Sequence, residues 1–159
     1  MKVYLVRHAL AVEREVGLPD ESRGLTPEGA KSFAEVVDGL QVLGIRFDHL
    51  LHSPWLRAVE TAELLMPLLE GESEVTSLLA MAPNADLVKQ IKGDNVALVG
   101  HRPWMGELLA LLVAGRVEDG DRYEFKKGGV AVLEGKPVPG GMRLLALYPP
   151  RALRALECG

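Results

Sequence analysis

Through residue 113 this chain alternates short apolar runs with segments of helical periodicity, and that alternation leaves few folds open. A strand, a helix and a second strand in one sheet close almost always as a right-handed crossover. The pattern therefore predicts a mainly parallel sheet covered by helices on both faces. Lys2 to Val6 is rich in Val, Tyr and Leu and reads as a buried strand, ended by Arg7-His8. A polar loop with Pro and Gly, Glu13 to Gly24, comes next. Thr26-Pro27 supplies an N-cap with proline at the first helical position. Ala30, Phe33, Ala34, Val37 and Leu40 recur at helical spacing, and Gly44 closes the element. Phe47 to His52 reads as a second strand, and Ser53-Pro54 repeats the cap-then-proline device. Leu56, Val59, Ala62, Leu65, Met66 and Leu69 mark the buried face of the helix that follows. Glu74 to Leu78 is a strand candidate, and Asp86 to Ile91 a short helix capped by Asn84. Asn95 to Val99 reads as a strand, and Trp104 to Val113 as an apolar helix ended by Gly115.

Beyond residue 113 the period changes. Tyr123-Glu124-Phe125, Gly129 to Leu133 and Met142 to Tyr148 read as three strands joined by Gly-rich turns, and Ala152 to Leu156 as a short helix. The expected fold is α/β: a three-layer α/β/α sandwich with a mainly parallel central sheet and an antiparallel margin from the C-terminal strands. No repeat, linker or low-complexity tract divides the sequence, so residues 1–159 are expected to form a single domain.

Composition narrows the function classes. Apolar residues make up 48% and charged residues 25%, a globular balance. The formal charge of −4 argues against a broad nucleic-acid surface. No apolar stretch approaches the roughly 20 residues of a bilayer-spanning helix, and the first residues lack a signal-peptide layout. The single cysteine, Cys158, allows neither an intrachain disulfide nor a cysteine-based metal cluster. These readings point to a cytoplasmic protein acting without nucleic acid or membrane.

Ligands of open α/β sheets bind outside the carboxyl ends of the strands. Three segments carry polar and cationic residues to that edge: Arg7-His8, Gly100-His101-Arg102, and Ser53-Pro54-Trp55-Leu56-Arg57. The last two also open helices, whose free N–H groups favour an anion. Two arginines and two histidines meeting there make a cationic pocket, and a phosphoryl group suits guanidinium forks. Taken singly, each segment reads more simply as a solvated loop or a cap. A metal is not expected: only His49 and His52 are closely spaced, and in a strand they face opposite ways.

The same residues carry a family resemblance. Val6-Arg7-His8-Ala9 resembles the R-H-G signature of the histidine phosphatase superfamily, with alanine third. Leu25-Thr26-Pro27-Glu28-Gly29 resembles its L-T-x-x-G segment. Ser53-Pro54-Trp55-Leu56-Arg57-Ala58-Val59-Glu60-Thr61-Ala62 is similar to its S-x-x-x-R-A-x-x-T-A block, and Val99-Gly100-His101-Arg102-Pro103 to its G-H-x-P motif. The blocks come in family order. The short length and the R-H-A spelling most resemble the SixA-type phosphohistidine phosphatases, within the phosphoglycerate mutase-like fold.

The resemblance implies His8 as nucleophile, forming a phosphohistidine intermediate, with Arg7, Arg57 and His101 as catalytic residues that bind the phosphoryl oxygens. It implies no metal and no cofactor. His8 must attack as neutral imidazole, and neighbouring arginines are expected to depress its pKa; its other ring nitrogen should donate to a backbone carbonyl. Among the substrate-binding candidates, Ser53 reads first as a helix N-cap and second as a phosphate contact, and Trp55 as a residue of the pocket mouth. Thr26 reads as an N-cap, Glu60 as a solvated surface carboxylate, and Arg102 as lying outside the phosphate's immediate neighbours.

One departure from the family bears on substrate. Many members place a glutamate after the third strand to protonate a leaving alkoxide, whereas Leu78 to Asp86 holds only Asp86. A phosphorylated imidazole protonated on its free nitrogen leaves neutral and needs no such acid. The short chain leaves no insertion to roof the pocket, so an open site is expected. The leading expectation is a metal-independent phosphatase of phosphohistidine on a protein. The alternatives are a small-molecule phosphomonoesterase for sugar or nucleotide phosphates, with Glu13 or Asp20 as acid, and a non-catalytic phosphoprotein-binding module.

Overall fold

The computed structural model describes residues 1–157 and contains one six-stranded sheet in the order β3-β2-β4-β1-β5-β6. Its strands are β1 (Lys2–Arg7), β2 (Phe47–His52), β3 (Leu69–Val75), β4 (Asn95–Gly100), β5 (Val130–Gly135) and β6 (Met142–Tyr148). The helices are α1 (Pro27–Val42), α2 (Leu56–Leu65), α3 (Ala85–Lys89), α4 (Trp104–Ala114) and α5 (Pro150–Arg154). β1, β4, β2 and β3 pair in parallel, while β5 and β6 add the antiparallel margin. The expected α/β sandwich is the one found. Cys158 lies outside the described residues. Among those residues, no helix is long and apolar enough to cross a membrane.

The sheet is filled from both sides because its central strands alternate their side chains between two cores. Tyr4 and Val6 of β1 and Ala97 and Val99 of β4 pack with Phe33, Leu65 and Leu153, so α1, α2 and α5 cover one face. Val3 and Leu5 with Val96 and Leu98 pack on Leu87, Met105 and Leu108, so α3 and α4 cover the other. Each fully buried aliphatic side chain contributes about 1.5–3 kcal/mol by leaving water. β1 and β4 are adjacent, yet their following helices leave to opposite faces. That is the topological switch point, where a crevice opens at the carboxyl edge.

Caps set the helix starts as expected in two places. Thr26 Oγ1 accepts from the Gly29 N–H at 2.8 Å, and Asn84 Oδ1 from the Leu87 N–H at 2.9 Å. Gly115 ends α4 at φ 76°, a conformation that favours glycine. Other expectations are corrected. The third strand is Leu69–Val75, with a 3₁₀ turn at Ser77–Ala80, and not Glu74 to Leu78. It is an exposed edge strand, so it needs no apolar run, and Gly71 lets it lie close to the Asp48 carbonyl. Tyr123 to Phe125 is not a strand; it follows a 3₁₀ turn, Val117–Arg122, as irregular chain. The short helices are Ala85–Lys89 and Pro150–Arg154, each starting and ending earlier than expected.

Candidate active site

Strand register builds the site. Arg7 pairs with Gly100 across β1 and β4, and His52 of β2 pairs with Val99, so three strands stop at one level. The chain holds that level one residue further: the His8 N–H donates to the Gly100 carbonyl at 3.0 Å and the Ser53 N–H to Val99 at 3.1 Å. His8, His101 and the start of α2 therefore converge although their positions span most of the sequence. The turn leading into β5 closes the end of β1, where the Gly128 N–H donates to the carbonyls of Arg7 and His8.

The result is a cavity of about 330 Å³. Arg7, His8, Arg57, His101 and Trp55 all line it, joined by Arg102, Trp104 and Lys127. The loop after β1 supplies Ala11, Arg14, Asp20 and Arg23, so the polar loop that offered Glu13 and Asp20 as candidate acids forms one wall with Asp20 in it. Six cationic side chains face one carboxylate there, a concentration of positive charge on an acidic protein.

His8 is buried, and its contacts fix its tautomer. Nδ1 lies 2.7 Å from the Ala9 carbonyl, which only accepts, so Nδ1 carries the hydrogen. Nε2 is then the unprotonated nitrogen, and its lone pair accepts the Arg57 Nε–H at 3.3 Å. The His8 pKa is pushed down to about 4. Burial is the first cause; the Ala9 bond opposes it, and Arg57, Arg7 and Lys127 add repulsion. The arginines expected to set this value are thus secondary to desolvation. The sign is simple: above pH 4 the ring is neutral and nucleophilic, and as pH falls through 4 it gains the proton that removes the lone pair. An NMR titration of the ring should place the His8 midpoint near 4, and a midpoint at the ordinary histidine value of about 6.5 would overturn this description.

Arg57 is buried to the same degree, and each of its three nitrogens has a partner. Nη1 donates to the Asp20 carbonyl at 2.7 Å and Nη2 to Asp20 Oδ2 at 3.2 Å, while its guanidinium carbon lies 4.8 Å from the centre of the Trp55 ring. Arg7 reaches the other way: Nη1 donates to the Phe125 carbonyl at 2.7 Å, which explains why that segment leaves strand geometry. Its Nε is buried with no hydrogen-bond partner among the described residues.

His101 sits between aromatic rings, 4.6 Å from Trp55 and 6.0 Å from Trp104, with the His8 ring centroid at 5.2 Å. Its pKa is lowered to about 3, first by burial and then by His8 and Arg57. Its Nε2 pairs with Ser53 Oγ at 2.7 Å, and its buried Nδ1 has no partner among the described residues. Ser53 is therefore neither the N-cap of α2 nor a wall of the cavity: Trp55 holds the cap position. The fully buried Ser53 hydroxyl accepts from the Trp55 N–H at 3.2 Å and orients His101.

Sequence reasoning gave no role to Thr61, whose hydroxyl is the joint of the site. Oγ1 accepts from the Ala9 N–H at 3.0 Å and donates to the Arg57 carbonyl at 2.7 Å, tying the segment after the nucleophile to the helix that carries the fork. The signal was its place four residues after Arg57 on α2. Arg23 also went unassigned. It donates to Asp20 Oδ1 at 2.8 Å and to the Val12 carbonyl at 2.7 Å, and its three-residue spacing from Asp20 was the available cue. Glu60, expected to be solvated, accepts from the Leu25 N–H at 2.9 Å and fastens the end of the loop. Glu13 is exposed and not among the cavity walls. His49 and His52 turn to other partners, the Lys92 carbonyl with Glu74 and the Ser53 carbonyl respectively.

Comparison with known proteins gives concordant results. The family model described as histidine phosphatase superfamily (branch 1) matches residues 3–80. The uncharacterized protein SYNPCC7002_A2622 of Picosynechococcus sp. (strain ATCC 27264 / PCC 7002 / PR-6) is 31% identical over 138 residues, covering 82% of each chain. Among solved structures, the protein histidine phosphatase SixA complexed with tungstate superposes with a TM-score of 0.79 at 23% identity, over 96% of this chain and 99% of that one. The α-ribazole phosphatase of Shigella flexneri gives 0.73 at 18% identity over 100% of both chains. A phosphoserine phosphatase mutant of Entamoeba histolytica, in complex with phosphoserine, gives 0.71 at 15% identity over 98% of this chain and 99% of that one. At these identities the likeness to the solved structures is one of fold.

Proposed function

This chain belongs to the histidine phosphatase superfamily and is a phosphatase, and we propose that it hydrolyses phosphohistidine on a partner protein through a phosphoryl intermediate on His8. His8 Nε2 attacks phosphorus in line. The bond to the leaving nitrogen breaks, its electron pair returns to the departing ring, and His8 becomes the phosphorylated cation. Water then attacks phosphorus, the P–Nε2 pair returns to His8, and the water proton leaves with phosphate or to solvent. Arg7 and Arg57 hold the phosphoryl oxygens, with the Arg57 Nε–H passing from His8 Nε2 to an oxygen as substrate enters. We assign the Ser53 hydroxyl hydrogen to His101 Nε2, which leaves a hydrogen on Nδ1 to donate to the same group. Positioning and fixed positive charge supply most of what phosphoryl transfer needs, so the cationic wall serves where a metal would. Action in the cytoplasm is part of the same proposal.

One observation carries the choice of substrate. Among the described residues Asp20 is the only carboxylate lining the cavity, and arginines hold it ionised. Partial burial raises its pKa, but the hydrogen bond from Arg23 and the charges of Arg57 and Arg23 outweigh that and leave it below the ordinary value. A carboxyl already ionised has no proton for a leaving alkoxide, and general-acid help is worth about 10²–10⁴-fold. Phosphoimidazole protonated on its second nitrogen leaves neutral without that help.

The test compares a phosphohistidine-bearing protein with sugar and nucleotide phosphates, with EDTA present. The expected result is a kcat/KM at least about 10²-fold higher on the phosphoprotein, unchanged by the chelator. Faster turnover of the small esters, with none of the phosphoprotein, overturns the proposal.

A further inference from the structure

An ionised carboxylate does not help a pocket bind phosphate: it repels the dianion and occupies part of a guanidinium needed to hold it. Asp20 nevertheless projects into this one. It is not required to hold Arg57, because the shorter of the two bonds between them goes to the Asp20 backbone carbonyl, at 2.7 Å against 3.2 Å to the carboxylate. Its side chain is 31% exposed at the cavity wall. Oδ1 is taken by Arg23 at 2.8 Å and Arg14 at 3.6 Å, whereas among the described residues Oδ2 meets only the Arg57 contact. A carboxylate has about four lone-pair sites, so Oδ2 keeps an acceptor position unused by these partners.

We propose that Asp20 is the counter-charge for a cationic leaving group: its Oδ2 accepts the N–H of a protonated phosphoimidazole and so selects nitrogen-linked over oxygen-linked phosphoryl groups. The proposal rests on the phosphohistidine reading above and names the residue that enforces it. The proton is on the substrate's second nitrogen before reaction and stays there. When the P–N bond breaks, its electron pair neutralises that ring, and the positive charge appears on His8 instead. Asp20 therefore donates nothing; it stabilises the protonated form of the substrate, the form whose leaving group is good. An ester dianion has no N–H to offer and meets only repulsion.

Asp20→Asn keeps the shape and the backbone bond to Arg57 and removes the charge. The measurement is kcat/KM for phosphoimidazole, p-nitrophenyl phosphate and an alkyl phosphate, with inhibition by inorganic phosphate confirming an intact pocket. Phosphoimidazole turnover should fall at least tenfold, as loss of one charge-assisted hydrogen bond implies. Turnover of p-nitrophenyl phosphate should rise, and phosphate should inhibit more strongly. Asp20→Glu, which retains the charge, should keep phosphoimidazole as the better substrate. Equal losses on all substrates would mean a structural role and overturn the proposal. A selective loss on the alkyl phosphate would make Asp20 a general acid and overturn it as well. A wild-type protein that cleaves the esters but not phosphoimidazole would defeat the phosphohistidine reading itself, an outcome distinct from either.

Discussion

His8→Ala should lose activity by roughly 10⁴-fold or more, because it removes the atom to which phosphorus is transferred and leaves no other group to take its place. His101 is the nearest candidate substitute, with its ring centroid 5.2 Å away, but its Nε2 is committed to Ser53. The substitution also strips the acceptor from the Arg57 Nε–H and the donor from the Ala9 carbonyl. Neither loss should unfold the domain, since the Ala9 amide and both Nη groups of Arg57 keep their partners. Inorganic phosphate should therefore still bind to the variant as a competing ligand, and binding without turnover separates a missing nucleophile from a collapsed pocket. Acid-stable separation of labelled intermediates is unsuitable for a phosphoramidate, so trapping must be done at alkaline pH. Label on wild-type protein and none on His8→Ala is the expected pair. Residual turnover above a few per cent of wild type would remove His8 from its assigned role.

Arg57→Lys should cost about 10²–10³-fold in kcat/KM although the charge is kept. The guanidinium makes three directed contacts at once, to His8 Nε2, the Asp20 carbonyl and Asp20 Oδ2, and its planar fork sits against Trp55. An ammonium has one nitrogen and reaches only one of those positions. Arg57→Ala should be worse, since it leaves Asp20 facing the phosphate with two arginines where there were three. Both variants should weaken inhibition by inorganic phosphate, unlike His8→Ala, which should spare it. A lysine variant of near wild-type activity would show that charge alone suffices and that the fork geometry is incidental.

The parts of this molecule that were legible in its sequence are those where burial dictates composition. β1 and β4 are apolar because helices cover both of their faces, and Arg7, His8 and His101 were visible because they punctuate the ends of those runs, as Arg57 was because it opens the helix after β2. β3 was misread because nothing covers its outer edge: Leu-Glu-Gly-Glu-Ser-Glu-Val satisfies a strand by backbone pairing alone. Tyr123 to Phe125 has strand-like residues but spends its Phe125 carbonyl on Arg7, a long-range demand that local pattern cannot express. The sequence marks Glu13 to Gly24 only as a polar loop with two candidate acids, and its path is hidden from local pattern for the same reason. Its path over the cavity is set by Arg23 bridging Asp20 and Val12, and by Glu60 catching Leu25. Ser53 shows the limit from the other side: its residue type suited a cap, and only the three-dimensional neighbourhood reveals His101 as its partner.

The Thr61 hydroxyl has a practical consequence. The Ala9 amide hydrogen lies on the Thr61 hydroxyl oxygen, fifty-two residues away from it in the chain, and the same hydroxyl reaches back to the Arg57 carbonyl. That single proton is thus a resident reporter: its chemical shift and its rate of deuterium uptake read out whether attacking ring and anion clamp are in alignment. The enzyme's readiness can be followed in solution on one cross-peak, with no substrate added.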